Sequence, residues 1–271
     1  MSASRPDKPE TLSTAVGTRV LIALQGAEPA PELLSAASAL AQGLHAELAG
    51  LFVEDIALLR MAALPFTREI GLTSGVSRPI DVQDLEHALR RQAERMRESL
   101  ARIAGELALP WSFQVTRGGL LEQVLEALAS MELIVVGRPR RMPGRSLGAA
   151  EQPPAPPEVS ALFDATEAGY RALAAALALV QGRPEQLSLL VPEGAHRDWR
   201  ALRERAAEAM HVSPAAARLQ PIATPEAGEL SQQTRRRRCR ALVLSIRSLP
   251  DARRQVGMLL EVADCPVVLV R

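Results

Sequence analysis

The residues best suited to chemistry sit in one short stretch, Gly137-Arg138-Pro139-Arg140-Arg141, continued by Arg145, Ser146 and Gly148. Glycines let backbone N–H groups approach an anion, and guanidinium forks grip phosphate or carboxylate oxygens in pairs. Gly26 and Asp164 each follow a short aliphatic run, where a ligand at a strand end would meet them. Other chemistry is absent. Lys8 is the only lysine among 32 basic residues and precedes the first patterned segment, so neither a P-loop lysine nor a Schiff-base lysine is available. Asparagine is missing altogether, which excludes a Cys-His-Asn triad and N-glycosylation. His45, His87, His196 and His211 lie in separate segments without ligand spacing, so no metal is expected. No nucleophile, base and orienting group converge, and the chain reads as a non-enzyme, weak ATP hydrolysis being the open exception.

Composition bounds the partners. The chain has 271 residues and a net charge of +1, with no global pull toward nucleic acid or an anionic membrane. Arg235-Arg236-Arg237-Arg238 and Arg240 form a sharp basic run. With 2 Trp, 1 Tyr and 4 Phe in the whole chain, however, the aromatics that usually accompany nucleic-acid binding are scarce. A helix end, where cations favour the C-terminal dipole, is the preferred reading of that run. Two cysteines suit a reducing cytoplasm, and no apolar run approaches a membrane span. Residues 1–17 read as a disordered tail.

The positioning elements alternate. Arg19–Leu24, Glu47–Val53, Trp111–Thr116 and Glu132–Val136 are strand-like. Pro31–Leu44, Asp81–Leu107 and Leu120–Ala129 carry apolar residues every three or four positions and predict helices. A proline-rich stretch, 138–157, interrupts. The order then restarts with strands at 158–163, 186–191, 217–222, 241–245 and 266–270 and helices at 167–180, 198–210, 225–233 and 251–262. Such alternation predicts right-handed βαβ units and a parallel sheet. The expected division is a first half over 18–150, a linker over 151–157 and a second half over 158–271. Residues 56–80, rich in apolar side chains, are expected to lid the first half or pack against the second.

The paired segments RVLIALQGAEPAPELLSAASALA and EVSALFDATEAGYRALAAALALV, the paired strand–helix–strand units later in each half, and the closing CPVVLVR resemble the tandem universal stress protein family. The resemblance implies two tandem parallel sheets with helices on both faces, of the adenine nucleotide alpha hydrolase-like kind. It also implies ATP or AMP at the carboxyl ends of the strands, held by an aspartate after the first strand and a G-x2-G-x9-G-[ST] loop after the fourth. This chain departs from that pattern twice. In the first half Gln25 replaces the aspartate, Arg140 replaces a glycine, and the last helix and strand are missing. In the second, Asp164 matches, but residues 246–251 contain no glycine and Arg253-Arg254 stand where Gly-Ser belongs. The leading expectation is a stress-response regulatory or interaction protein with degenerate ATP sites and an unknown protein partner. The alternative is a nucleotide sensor holding a small anionic ligand through Gly26, Gly137, Arg138, Arg140, Arg145, Ser146 and Gly148, or Asp164. For Asp164 the helix-capping role competes with the ligand role.

The implied topology makes the last two strands neighbours and brings Cys239 and Cys265 close together. Two reduced, buried thiols are expected there, with a redox-sensitive pair as the alternative. Because only the second half has a fifth strand, that strand's edge must be covered asymmetrically or shared with a second chain, and a homodimer is expected.

Overall fold

The computed structural model describes residues 18–26, 29–70, 75–137, 158–195 and 198–271. The first half runs β1 (Arg19–Gln25), α1 (Pro31–Leu44), β2 (Glu47–Asp55), α2 (Ile56–Ala62), β3 (Arg68–Ile70), β4 (Ser77–Pro79), α3 (Val82–Glu106), β5 (Trp111–Gly118), α4 (Leu120–Ser130) and β6 (Leu133–Val136). The second runs β7 (Val159–Leu162), α5 (Glu167–Leu179), β8 (Leu187–Pro192), α6 (Trp199–Met210), β9 (Leu219–Ile222), α7 (Ala227–Arg236), β10 (Ala241–Ser245), α8 (Ala252–Val262) and β11 (Val267–Val270).

Local chemistry sets the boundaries. The Asp81 and Asp198 carboxylates cap α3 and α6, accepting from Gln83 N at 2.7 Å and Arg200 N at 2.9 Å. At the other ends, His45 after α1 and His211 after α6 adopt left-handed conformations with φ of 52° and 55°. Those two histidines therefore end helices. Among the described residues no group of three or more metal-ligating side chains comes together.

The expected two sheets are one. Nine strands lie in the order β5-β2-β1-β6-β11-β10-β7-β8-β9, parallel within each half. The halves join where β6 meets β11 antiparallel, with Val136 opposite Val267 and Leu133 opposite Val270. The fifth strand of the second half thus takes the place beside β6 that the first half leaves open. Its edge is covered inside the chain, the asymmetric one of the two expected outcomes, and the argument for a homodimer from an exposed edge no longer holds. The edges that remain are β5 and β9.

Alternating strand side chains feed two cores. Val20, Ile22 and Leu24 face α1, α3, α5 and α6, whereas Leu21 and Ala23 face α4, α7 and α8. On the first face the equivalent helices α1 and α5 meet across the junction, so closely that a Cβ on Gly43 would lie 2.7 Å from the Ala178 carbonyl oxygen. On the second face α4 meets α8, a helix with no counterpart among the described elements of the first half. Arg253 bonds Glu122 there at 3.0 Å.

The described part of the 56–80 segment packs chiefly within its own half, against the expectation that it joins the second. It forms helix α2, capped by Asp55, and the antiparallel hairpin β3–β4. The contacts of α2 are chiefly with α3 and β5, in its own half. Phe66 and Ile70 stay 77% and 69% exposed. No described helix is long and apolar enough to cross a membrane.

Candidate functional site

In a parallel sheet with helices on both faces, ligand positions lie at the carboxyl ends of the strands, where the chain diverges to opposite faces. The antiparallel junction places the two such edges at opposite ends of the molecule. The sequence-derived residues therefore do not converge. Gly26 and Gly137 follow the neighbouring strands β1 and β6 on one edge, and Asp164 follows β7 on the other. Arg138, Arg140, Arg145, Ser146 and Gly148 lie outside the described residues.

The first-half edge is poor in groups that hold an anion. Gln25 ends β1. Gly26 adopts φ 63° in open space, the one position here whose conformation favours glycine. Gly137 packs so tightly that a Cβ would lie 2.9 Å from Leu33 Cδ1. The α1 N-terminus opens with Ala30, which offers no side-chain cap, followed by Pro31 and Glu32; Pro31 lacks an N–H and Glu32 repels anions. Acidic groups dominate the neighbouring strand ends. Glu54, 8% exposed, accepts from Arg117 Nε at 2.7 Å, and Glu86 lies 3.5 Å from the same guanidinium. Sharing its protons with Glu54 raises the Arg117 pKa above the ordinary arginine value.

The second-half edge is built differently. The Asp164 Oδ1 accepts from Thr166 N at 3.0 Å and Thr166 Oγ1 at 2.6 Å. Thr166 Oγ1 in turn accepts from Gly169 N at 3.2 Å and caps α5. The cap is thus Thr166, and Asp164 braces it. This corrects the expectation that the aspartate oxygen itself caps the helix. Ala165 between them has φ 55°, a strained conformation for alanine that folds the two side chains together. Across the edge, Ser245 Oγ accepts from Arg247 N at 3.3 Å, and Ile246–Ser248 make one 3₁₀ turn. Asp251, at φ 47°, then caps α8. A tight helical turn stands where the resemblance implies an open glycine loop.

Three arginines absent from the sequence-derived set surround this edge. A cleft of about 630 Å³ at the junction of the halves is lined by Arg171, Arg247 and Arg271, with Glu132 as its carboxylate. Arg171 and Arg247 also line a smaller hollow of about 270 Å³ that includes Asp164 and Thr166. Arg171 is tied to Glu167 at 2.6 Å and to the Arg271 carbonyl at 3.3 Å. The Arg271 guanidinium donates to the Ala129 carbonyl at the end of α4, at 2.8 Å. Arg247 is exposed and makes no ion pair with a described residue. The signal for these positions is geometric: all three belong to the second half and converge at the carboxyl ends of its strands.

The basic run is a clasp at the end of α7. Arg235 bonds Asp264 at 2.5 Å and the Val262 carbonyl at 3.0 Å, and Arg237 lies 3.9 Å from Glu158. Three of its cationic contacts are thus made within the protein.

No family model and no curated protein matches the sequence. Several solved structures are similar to it. A universal stress protein from Archaeoglobus fulgidus aligns over 93% of this chain and 98% of its own, with 11% identity and a TM-score of 0.48. A protein of unknown function from Pseudomonas aeruginosa aligns over 94% and 92%, with 10% identity and a TM-score of 0.45. A universal stress protein family member from Burkholderia pseudomallei shares 21% identity over 41% of this chain and 73% of its own, with a TM-score of 0.31.

Proposed function

We propose that this chain is a non-catalytic, stress-protein-like regulatory or interaction protein of the cytoplasm whose nucleotide positions are closed. The observation that supports this reading most is the second-half edge. There Asp164 is committed to bracing Thr166, and the glycine-free turn at 246–251 offers no row of free backbone N–H groups to a polyphosphate. The first-half edge adds to it, since Gln25 carries no charge, Pro31 lacks an N–H and Glu32 repels a phosphate. Titration calorimetry with ATP and AMP is expected to show no heat of binding up to about 1 mM, a bound on the order of 4 kcal/mol of affinity. Saturable binding in the low-micromolar range, or nucleotide carried through purification, overturns the reading.

A second reading is carried by the arginine cleft. Arg247 has an exposed guanidinium, without an ion pair among the described residues, beside Arg171 and Arg271, which suits a small anionic ligand such as a phosphate ester. If a nucleotide does bind, its site can be assigned by substitution. Loss on Arg247→Ala places it in the cleft. Loss on the Arg140→Ala, Arg145→Ala double variant places it at the first-half loop.

A further inference from the structure

Cys239 and Cys265 take no part in either edge site. Each lies two residues before one of the paired strands β10 and β11, so the two are brought to the same end of the second-half sheet. Both are free and only 8% exposed, and both line one small hollow of about 190 Å³ beside Thr234, Arg235, Arg238 and Asp264. The Cys239 thiol reaches the Ala241 carbonyl at 2.9 Å. The buried Ser160 hydroxyl has no geometric hydrogen-bond partner among the described residues. Two thiols lining one small cavity with arginines at its rim are an arrangement for paired thiol chemistry rather than for packing alone.

We infer that Cys239 and Cys265 form a peroxide-responsive dithiol, with Cys239 as the attacking sulfur and Cys265 as the resolving one, closing to an intramolecular disulfide.

The roles follow from the asymmetry of the pair. Hydrogen bonding from Cys265 first, with the nearby Ser160 adding to it, lowers the Cys239 pKa to about 7 against the burial that opposes charge. Cys265 gives that hydrogen bond and faces the resulting negative charge while buried, so its pKa is pushed well up. One proton therefore leaves easily and the second with difficulty. The charged groups facing the pair are Arg235 from α7, Arg238 from the turn after it and Asp264 from the turn before β11, and Arg235 is itself paired with Asp264.

The chemistry balances with a hydroperoxide as oxidant. The Cys239 thiolate attacks one peroxide oxygen, the O–O bond breaks, and the departing alkoxide takes a proton and leaves as alcohol. Sulfur, oxidised by two electrons, becomes a sulfenic acid. Cys265 then loses its proton and attacks the Cys239 sulfur. The S–O bond breaks, and hydroxide leaves with that proton as water. Two thiols and one hydroperoxide yield one disulfide, one alcohol and one water. The product ties the start of β10 to the start of β11.

The test uses the full, reduced chain and hydrogen peroxide at a few molar equivalents, read by intact mass. The expected product loses two hydrogens, resists alkylation after denaturation, and regains both thiols with a reductant. Cys265→Ser is expected to stop at a sulfenic acid on Cys239, trapped by a 1,3-dione. Cys239→Ser is expected to react at least tenfold more slowly. The wild-type rate is expected to rise with pH through about 7 and then level. Several results overturn the inference: stepwise gain of oxygen without loss of alkylation at both residues, a disulfide only between chains, equal rates for the two variants, or no reaction while the unfolded chain reacts.

Discussion

The two halves of this molecule share a plan and differ in how they end. The second has β11 beside β10, whereas the described strands of the first end at β6, which takes β11 as its outer neighbour. On one face the junction is symmetric, with α1 against α5. On the other it is not, because α8 fills the place beside α4. Each of the two cores, one on either face of the sheet, spans both halves, and β11 contributes to both. The halves are one hydrophobic unit, since β6 and β11 bury Val135 and Val268 completely on the face shared with α1 and α5.

Separating the halves should have the largest effect. Residues 158–271 alone contain a full five-strand unit and are expected to give a cooperative urea transition. Residues 18–137 alone expose the β6 edge and are expected to aggregate or to lack such a transition. A cooperative first half by itself would show that β11 is dispensable to it. Next in size is Val268→Asp, which puts an unpaired carboxylate at a fully buried point of the junction. A loss of about 4 kcal/mol or more is expected in urea unfolding, with both halves lost in one transition. Two separate transitions would break the picture of a single unit.

Much of this architecture was legible beforehand. Pro31–Leu44 and Ala241–Ser245 have the expected bounds, and the other patterned strands and helices fall within a few residues of them. Apolar periodicity is a local property and marks an element whatever its partners. The partner of β11 is a different kind of information. Its apolar run would pair equally well with a second chain, and only the vacancy beside β6 decides the matter. The 56–80 segment is less legible: Met61, Leu64, Phe66 and Ile70 are exposed, whereas Leu59 packs on the core and Ala62 is buried. At the site, Asp164 was visible as a residue but not as a brace, because the left-handed Ala165 that turns it onto Thr166 leaves no mark in the sequence. Arg171, Arg247 and Arg271 are far apart along the chain and meet only at the carboxyl edge of the folded second half.

A finer test of the symmetric face compares two glycines. Gly43→Ala in α1 forces a methyl against the Ala178 carbonyl across the junction and should cost about 1–2 kcal/mol despite the better helix propensity of alanine. Gly105→Ala in α3 has open space around it and should stabilise by about 0.5–1 kcal/mol. Equal effects, measured by thermal unfolding, would deny the close approach of α1 and α5. The smallest effect sharpens the contrast between the two edges. Asp164→Ala releases Thr166 and should lower stability by about 1 kcal/mol while leaving any anion affinity unchanged. A loss of affinity instead would return Asp164 to the binding site.

The antiparallel meeting of β6 and β11 also fixes an order of events. The strand at the middle of the sheet is the last of eleven in the described chain. During synthesis the first four strands of the large sheet emerge with an open inner edge, and everything from β7 to α8 must follow before that edge is paired. Contact between residues 133–136 and 267–270 closes a long span of chain, which makes it a late and slow step. Until then the nascent first half presents a bare row of backbone donors and acceptors, the period when it most needs protection from other chains.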